Sequence, residues 1–115
     1  MLETGYHDVP AGKIASVVTY LEMTAAPLPG PAEARPVLEL AAVPAPDIDW
    51  YRGLYRAIGT DWLWFSRVVM PAADLAAILA DPAVEVFVAR DGGRDIGLVE
   101  LDRRIAGEVE LAFFG

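Results

Sequence analysis

The sequence predicts an α+β fold: an antiparallel-dominated sheet with two to three helices. Three observations carry this. Apolar residues recur at helical spacing from Ile48 to Ile58, and again around Leu75 and Leu79. The last third switches to period two, with Val84, Val86 and Val88 alternating with Glu85, Phe87 and Ala89. Turn signals then punctuate that third at the spacing of a meander. Helices grouped between strands, with hairpins at the end, point to α+β rather than a doubly wound parallel sheet.

The elements follow in order. Ile14 to Thr24 (IASVVTYLEMT) is rich in β-branched and aromatic residues and reads as a strand. Residues 25–36 hold Pro27, Pro29, Pro31 and Pro36 with Gly30; fixed φ and missing donors make this a connector. Val37 to Val43 (VLELAAV) is a second strand candidate, closed by Pro44 and Pro46. Asp47 can cap a helix that places Ile48, Tyr51, Leu54, Tyr55 and Ile58 on one face, and Gly59 suits its C-terminal stop. Asp61 to Val69 is aromatic-dense, with a short helix as one option. Pro71 suits the first turn of the next helix, which ends at Asp81-Pro82. After the strand from Val84, Asp91-Gly92-Gly93 signals a hairpin. Ile96 to Leu101 is the return strand, Ala106-Gly107 a turn, and Glu108 to Phe114 the final strand.

Composition bounds the function. At 115 residues with 55% apolar content, the chain fits a single domain over residues 1–115, with residues 1–13 as a flexible N-terminus. A net charge of -8 with nine Lys plus Arg argues against nucleic acid and against an anionic membrane surface. It permits attraction of a cationic substrate such as an amine, although an acidic surface also serves plain solubility. Cysteine is absent, so thiol nucleophiles and thiolate metal sites are excluded. No basic stretch leads into an apolar run at the N-terminus, and no segment has the length of a membrane span, so the cytoplasm is the expected compartment. The single histidine, His7, lies in the N-terminal stretch, which leaves no basis for a histidine triad or a zinc site.

Two groups of residues are candidates for chemistry. Trp62, Trp64 and Phe65, with Trp50, Tyr51 and Tyr55 upstream, could line a substrate pocket, since Trp faces attract cations. Aromatics at helical spacing also build ordinary core. On the final strand, Glu108 and Glu110 are two apart and so are expected on one face, with Val109, Leu111 and Phe113 on the other. A carboxylate partly buried on a sheet face can act as a general base; on an exposed face it is simply solvated.

The order of elements, with the run from Asp91-Gly92-Gly93 through Gly97 into GEVELAFFG, resembles the first half of an acyl-CoA N-acyltransferase domain of the GNAT superfamily. YRGLYRAIGTDWLWFSR followed by DLAAILADPAVEVFVARDGG is similar to a bacterial subgroup. The resemblance covers roughly residues 37–115, and Ile14 to Thr24 would be an extra strand. It implies transfer of acetyl from acetyl-CoA directly to a primary amine, without metal or covalent intermediate. The family's Q/R-x-x-G-x-G/A diphosphate loop is expected just beyond Gly115, so this chain would be the N-terminal part of the domain. In such enzymes the fourth core strand splays from its neighbour and its backbone pairs with the pantetheine arm, which maps to Leu111, Ala112, Phe113 and Phe114. A glutamate on that strand often deprotonates the acceptor, mapping to Glu110 or Glu108. The loop after the first helix borders the acceptor, mapping to Trp62 and Trp64. The competing expectation is an inert half-domain acting as an interaction module, or one completed by a second chain through the final strand.

Overall fold

The computed structural model describes residues 3–28, 30 and 38–115. They divide into two units, residues 1–34 and residues 35–115. In the first unit, Ile14 to Thr24 forms no strand, contrary to its composition. Ile14, Val17, Tyr20 and Leu21 are exposed there, so β-branched content without a pairing partner does not make a strand. Most of the proline connector, residues 29 and 31–36, lies outside the described residues, as does Val37 of the second strand candidate.

The second unit is a four-stranded antiparallel sheet carrying three helices. Its elements are β1 (Glu39–Ala42), α1 (Ile48–Gly59), a 3₁₀ turn (Thr60–Trp62), α2 (Ser66–Val69), α3 (Ala72–Ala80), β2 (Val84–Asp91), β3 (Arg94–Asp102) and β4 (Glu110–Phe114). The strand order is β1-β2-β3-β4, so β1 and β4 are the edges among the described residues.

Local chemistry explains most boundaries. Asp47 Oδ1 accepts from the backbone N–H of Asp49 at 3.0 Å and of Trp50 at 2.9 Å, satisfying two orphan donors of α1. Gly59 is the last residue of α1 but stays right-handed at φ -97°; the left-handed stop falls at Leu63, φ 58°. Glycine is needed at 59 for space, because a Cβ there would collide with the Trp64 side chain. Pro71 precedes α3 rather than opening its first turn. The β2–β3 turn has Gly92 at φ 55° and Gly93 at φ 80°, the two positive angles of a type I′ hairpin.

The core lies between the helices and one sheet face. Tyr51, Leu54 and Tyr55 of α1 and Leu75 and Leu79 of α3 pack against Val86, Val88 and Leu98. Burying each large side chain contributes roughly 1.5–3 kcal/mol. No helix of the described residues is long and apolar enough to cross a membrane.

Candidate functional site

The final strand begins at Glu110, two residues later than its composition suggests. Glu108 sits in the preceding turn, its N–H donating to the Ile105 carbonyl at 3.2 Å. Glu110 pairs with Asp102 and Leu111 with Leu101, yet Phe113 pairs with Glu100 and Phe114 with Val99. Ala112 is therefore the extra residue of a β-bulge. Paired residues share a face. The bulge thus separates Leu111 from Phe113, which simple alternation would keep together. Phe113 turns inward, whereas Leu111 and Phe114 turn outward at 56% and 69% exposure. Glu110 stands on the inner-face register with Phe113 and is exposed, as is Glu108.

Phe113 anchors this end of β4 in an aromatic cluster. Its ring lies 4.9 Å from Tyr55 in an edge-to-face arrangement and 5.4 Å from Trp64. Trp64 also approaches Gly115, where a Cβ would meet its ring at 3.1 Å. Gly115 extends the ladder, donating to the Leu98 carbonyl at 3.1 Å and accepting from the Leu98 N–H at 2.8 Å. Trp62, in the 3₁₀ turn, is 76% exposed. Trp64 is half-buried against the core. Trp50 donates Nε1–H to Asp95 at 3.0 Å, beside the Arg90–Asp95 ion pair at 2.8 Å.

Tyr51 has no exposed surface, so it can shape a site only through what it holds. Its hydroxyl donates to Glu100, itself fully buried, and Arg67 pairs with the other carboxylate oxygen of Glu100. The Arg67 guanidinium lies 5.1 Å from the Phe113 ring centroid, a cation–π contact that ties this cluster to β4. Burial first, and then the Glu100 carboxylate, push the Tyr51 phenol well above its ordinary range. Burial alone would lower the Arg67 pKa; its bond to Glu100 and the attraction of that charge raise it instead. Arg52 fixes the segment bearing Arg67, donating Nε–H to the Arg67 carbonyl at 3.1 Å and Nη2–H to that of Met70.

Glu100 and Arg67 were not among the residues singled out from sequence. Glu100 had a signal: it is two residues from the core-facing Leu98, and so shares its face. Arg67 had none, since its side chain is buried by a short helix whose conformation the sequence leaves open. Among the described residues no group of three His, Asp or Glu side chains is arranged to hold a metal ion.

The arrangement comprises an edge strand with a bulge, an exposed carboxylate at its start and an aromatic cluster at its far end. Trp64 meets Phe113 and Gly115, three to five residues beyond Glu110, a separation of roughly 10 Å or more along a strand. The two candidate groups therefore occupy opposite ends of β4. Set beside known proteins, the chain matches no family model, no curated protein and no solved structure.

Proposed function

We propose that residues 38–115 act as the acetyl-donor half of an acetyl-CoA-dependent N-acetyltransferase, with β4 as the working strand. The observation that carries this reading is β4 itself. Among the described residues it is an edge strand with an open backbone side, broken by a bulge and led by the exposed carboxylate of Glu110. An open edge offers N–H donors to an extended amide-bearing chain such as pantetheine, through strand addition. An N–H among Leu111, Ala112, Phe113 and Phe114 would donate to the thioester carbonyl and stabilise the developing oxyanion.

In the proposed step the amine lone pair attacks the thioester carbonyl carbon. The C–N bond forms, the C–S bond breaks, and the thiolate leaves to be protonated from solvent. Glu110 takes the proton of the amine, and Glu108, off the strand, is the weaker candidate. Trp62, exposed on its turn, and Trp64 would border the acceptor. The acceptor would then be long enough to bridge roughly 10 Å between Glu110 and the aromatic end. Tyr51 would serve by holding Glu100, and through Arg67 the seat of Phe113. The family's diphosphate loop is not among the 115 residues, so the donor affinity expected of β4 alone is weak.

The test is an amide NMR titration of the full chain with acetyl-CoA to millimolar concentration. Shifts confined to Leu111–Phe114 and their β3 neighbours are expected. An unchanged spectrum removes the donor site from β4. The second reading, an interaction module joined through the final strand, is favoured by the exposure of Val109, Leu111 and Phe114 beside that edge. It predicts a chain inert toward the coenzyme.

A further inference from the structure

The sheet has a second face. Phe87 pairs with Val99 and Val99 with Phe114, forming one row across three strands; Leu101 and Leu111 form the next, and Leu40 extends the face on β1. These positions alternate with Val86, Val88, Leu98 and Glu100, which face α1 and α3, so the two helices lie on the opposite side. Strands this apolar at successive positions, as in Val86-Phe87-Val88-Ala89 and Gly97-Leu98-Val99, are the pattern of a sheet buried on both faces. Leu40, Leu111 and Phe114 are nevertheless 62%, 56% and 69% exposed.

We propose that this outer face is the interface of a symmetric dimer, apposed to the same face of a second copy. Three features select that occupant. Charge comes first: between two chains of net charge -8, a neutral patch is the surface on which two copies meet with least repulsion. From the row of Ala89 to the row of Glu85 the one charged side chain is Glu85, and Arg103 lies against it at 2.8 Å. Shape is second, because two twisted sheets pack face to face about 10 Å apart, with their side chains interdigitating. A two-fold axis needs only one self-complementary patch, which this face supplies.

Area is third. Four strands about 4.8 Å apart and four to five residues long span roughly 19 by 15 Å. With protruding side chains that is roughly 500 Å² per copy, about 1,000 Å² in total, the lower bound for a specific interface. Buried area does not fix affinity, and an interface of this minimal size is sought in the micromolar range. The proposal concerns the face and is independent of what the open edge of β4 binds.

Sedimentation equilibrium of the full chain, over about 1–200 µM, reads the self-association directly. A monomer–dimer equilibrium is expected. Val99→Lys and Val99→Glu should each raise the dissociation constant at least ~10-fold, because each buries a charge against its own copy. Mixing the two variants should restore dimer as a heterodimer. Unchanged far-UV circular dichroism keeps the loss from being one of folding. Phe87→Lys, on the neighbouring strand in the same row, should behave as Val99→Lys does. A chain monomeric throughout the range overturns the proposal, whether or not its outer face captures a basic amphipathic peptide. A dimer that survives Val99→Lys and Phe87→Lys overturns it equally, by placing the contact at the strand edge.

Discussion

Replacing Arg67 by Met tests the account of the core most directly. Glu100 is fully buried, and its carboxylate has two partners, Arg67 and Tyr51. Met approximates the length and apolar stem of Arg but leaves the carboxylate with the Tyr51 hydroxyl alone. Removing one member of a buried ion pair costs about 3–5 kcal/mol, mostly because the remaining charge is stranded. Loss of the cation–π contact with Phe113 adds roughly 0.5–2 kcal/mol. Domains of this size are stable by about 5–15 kcal/mol, so the single variant approaches the unfolding threshold. Arg67→Met combined with Glu100→Leu removes both charges and should recover part of the loss, while the buried Tyr51 hydroxyl, left without its acceptor, retains about 1–3 kcal/mol of it. Urea unfolding followed by tryptophan fluorescence measures all four corners of the cycle. A loss below about 1 kcal/mol in Arg67→Met, or a double variant as unstable as the two singles summed, would refute the reasoning.

Three further outcomes are expected. Gly59→Ala should destabilise by about 1–3 kcal/mol in the same unfolding assay, because its methyl group meets Trp64 and the helix end must shift. Tyr51, with a folded pKa above that of a free tyrosine, keeps its proton while unfolded tyrosine loses one near pH 10. Its contribution to stability is thus complete below about pH 10 and falls as pH rises beyond it; absorbance titration should show Tyr51 ionising only with unfolding, and Tyr51→Phe should flatten that alkaline limb. In an acetyl-transfer assay with the domain completed, Glu110→Gln should lower turnover roughly 10²–10⁴-fold at neutral pH with little change in donor affinity, and an unaltered pH–rate profile would place the base elsewhere.

The helices and hairpins were legible because each is written in local chemistry. Asp47 caps α1 through two hydrogen bonds, Gly92-Gly93 supplies the two positive φ angles, and the period-two run of β2 buries Val84, Val86 and Val88 as alternation requires. Ile14 to Thr24 misled because strand composition states what fits a pleated surface and cannot supply the neighbour that makes one. The candidate site was legible in its residue types but not in its geometry. Alternation put Glu108 and Glu110 together on one face with Leu111 and Phe113 on the other. The residue inserted at Ala112 parted Leu111 from Phe113, the later start of the strand left Glu108 in the turn, and no local signal announces either. Glu100 was visible only once the buried face was known. Its neighbours Val99 and Leu101 are apolar as well, and a strand apolar on both faces conceals which of them is the core.

The bulge at Ala112 therefore carries the question of what β4 is for, and deleting that residue separates the answers. Without Ala112, Leu111 stays opposite Leu101, Phe113 opposite Glu100 and Phe114 opposite Val99, now in unbroken alternation. Phe113 would keep its place against Tyr55, Trp64 and Arg67, so packing alone gives no reason for the insertion. The expected loss of stability is then about 1 kcal/mol or less, the scale of a local backbone change. What the deletion does change is the backbone, because the bulge bends β4 away from regular pairing and re-aims its N–H groups. If those groups receive the donor, the acetyl-CoA response of the β4 amides should vanish while the fold persists. A loss of 3 kcal/mol or more, the scale of emptying an aromatic core position, would show instead that the bulge exists to seat Phe113. The strand would then be structural, and the donor-site reading of β4 would fall with it.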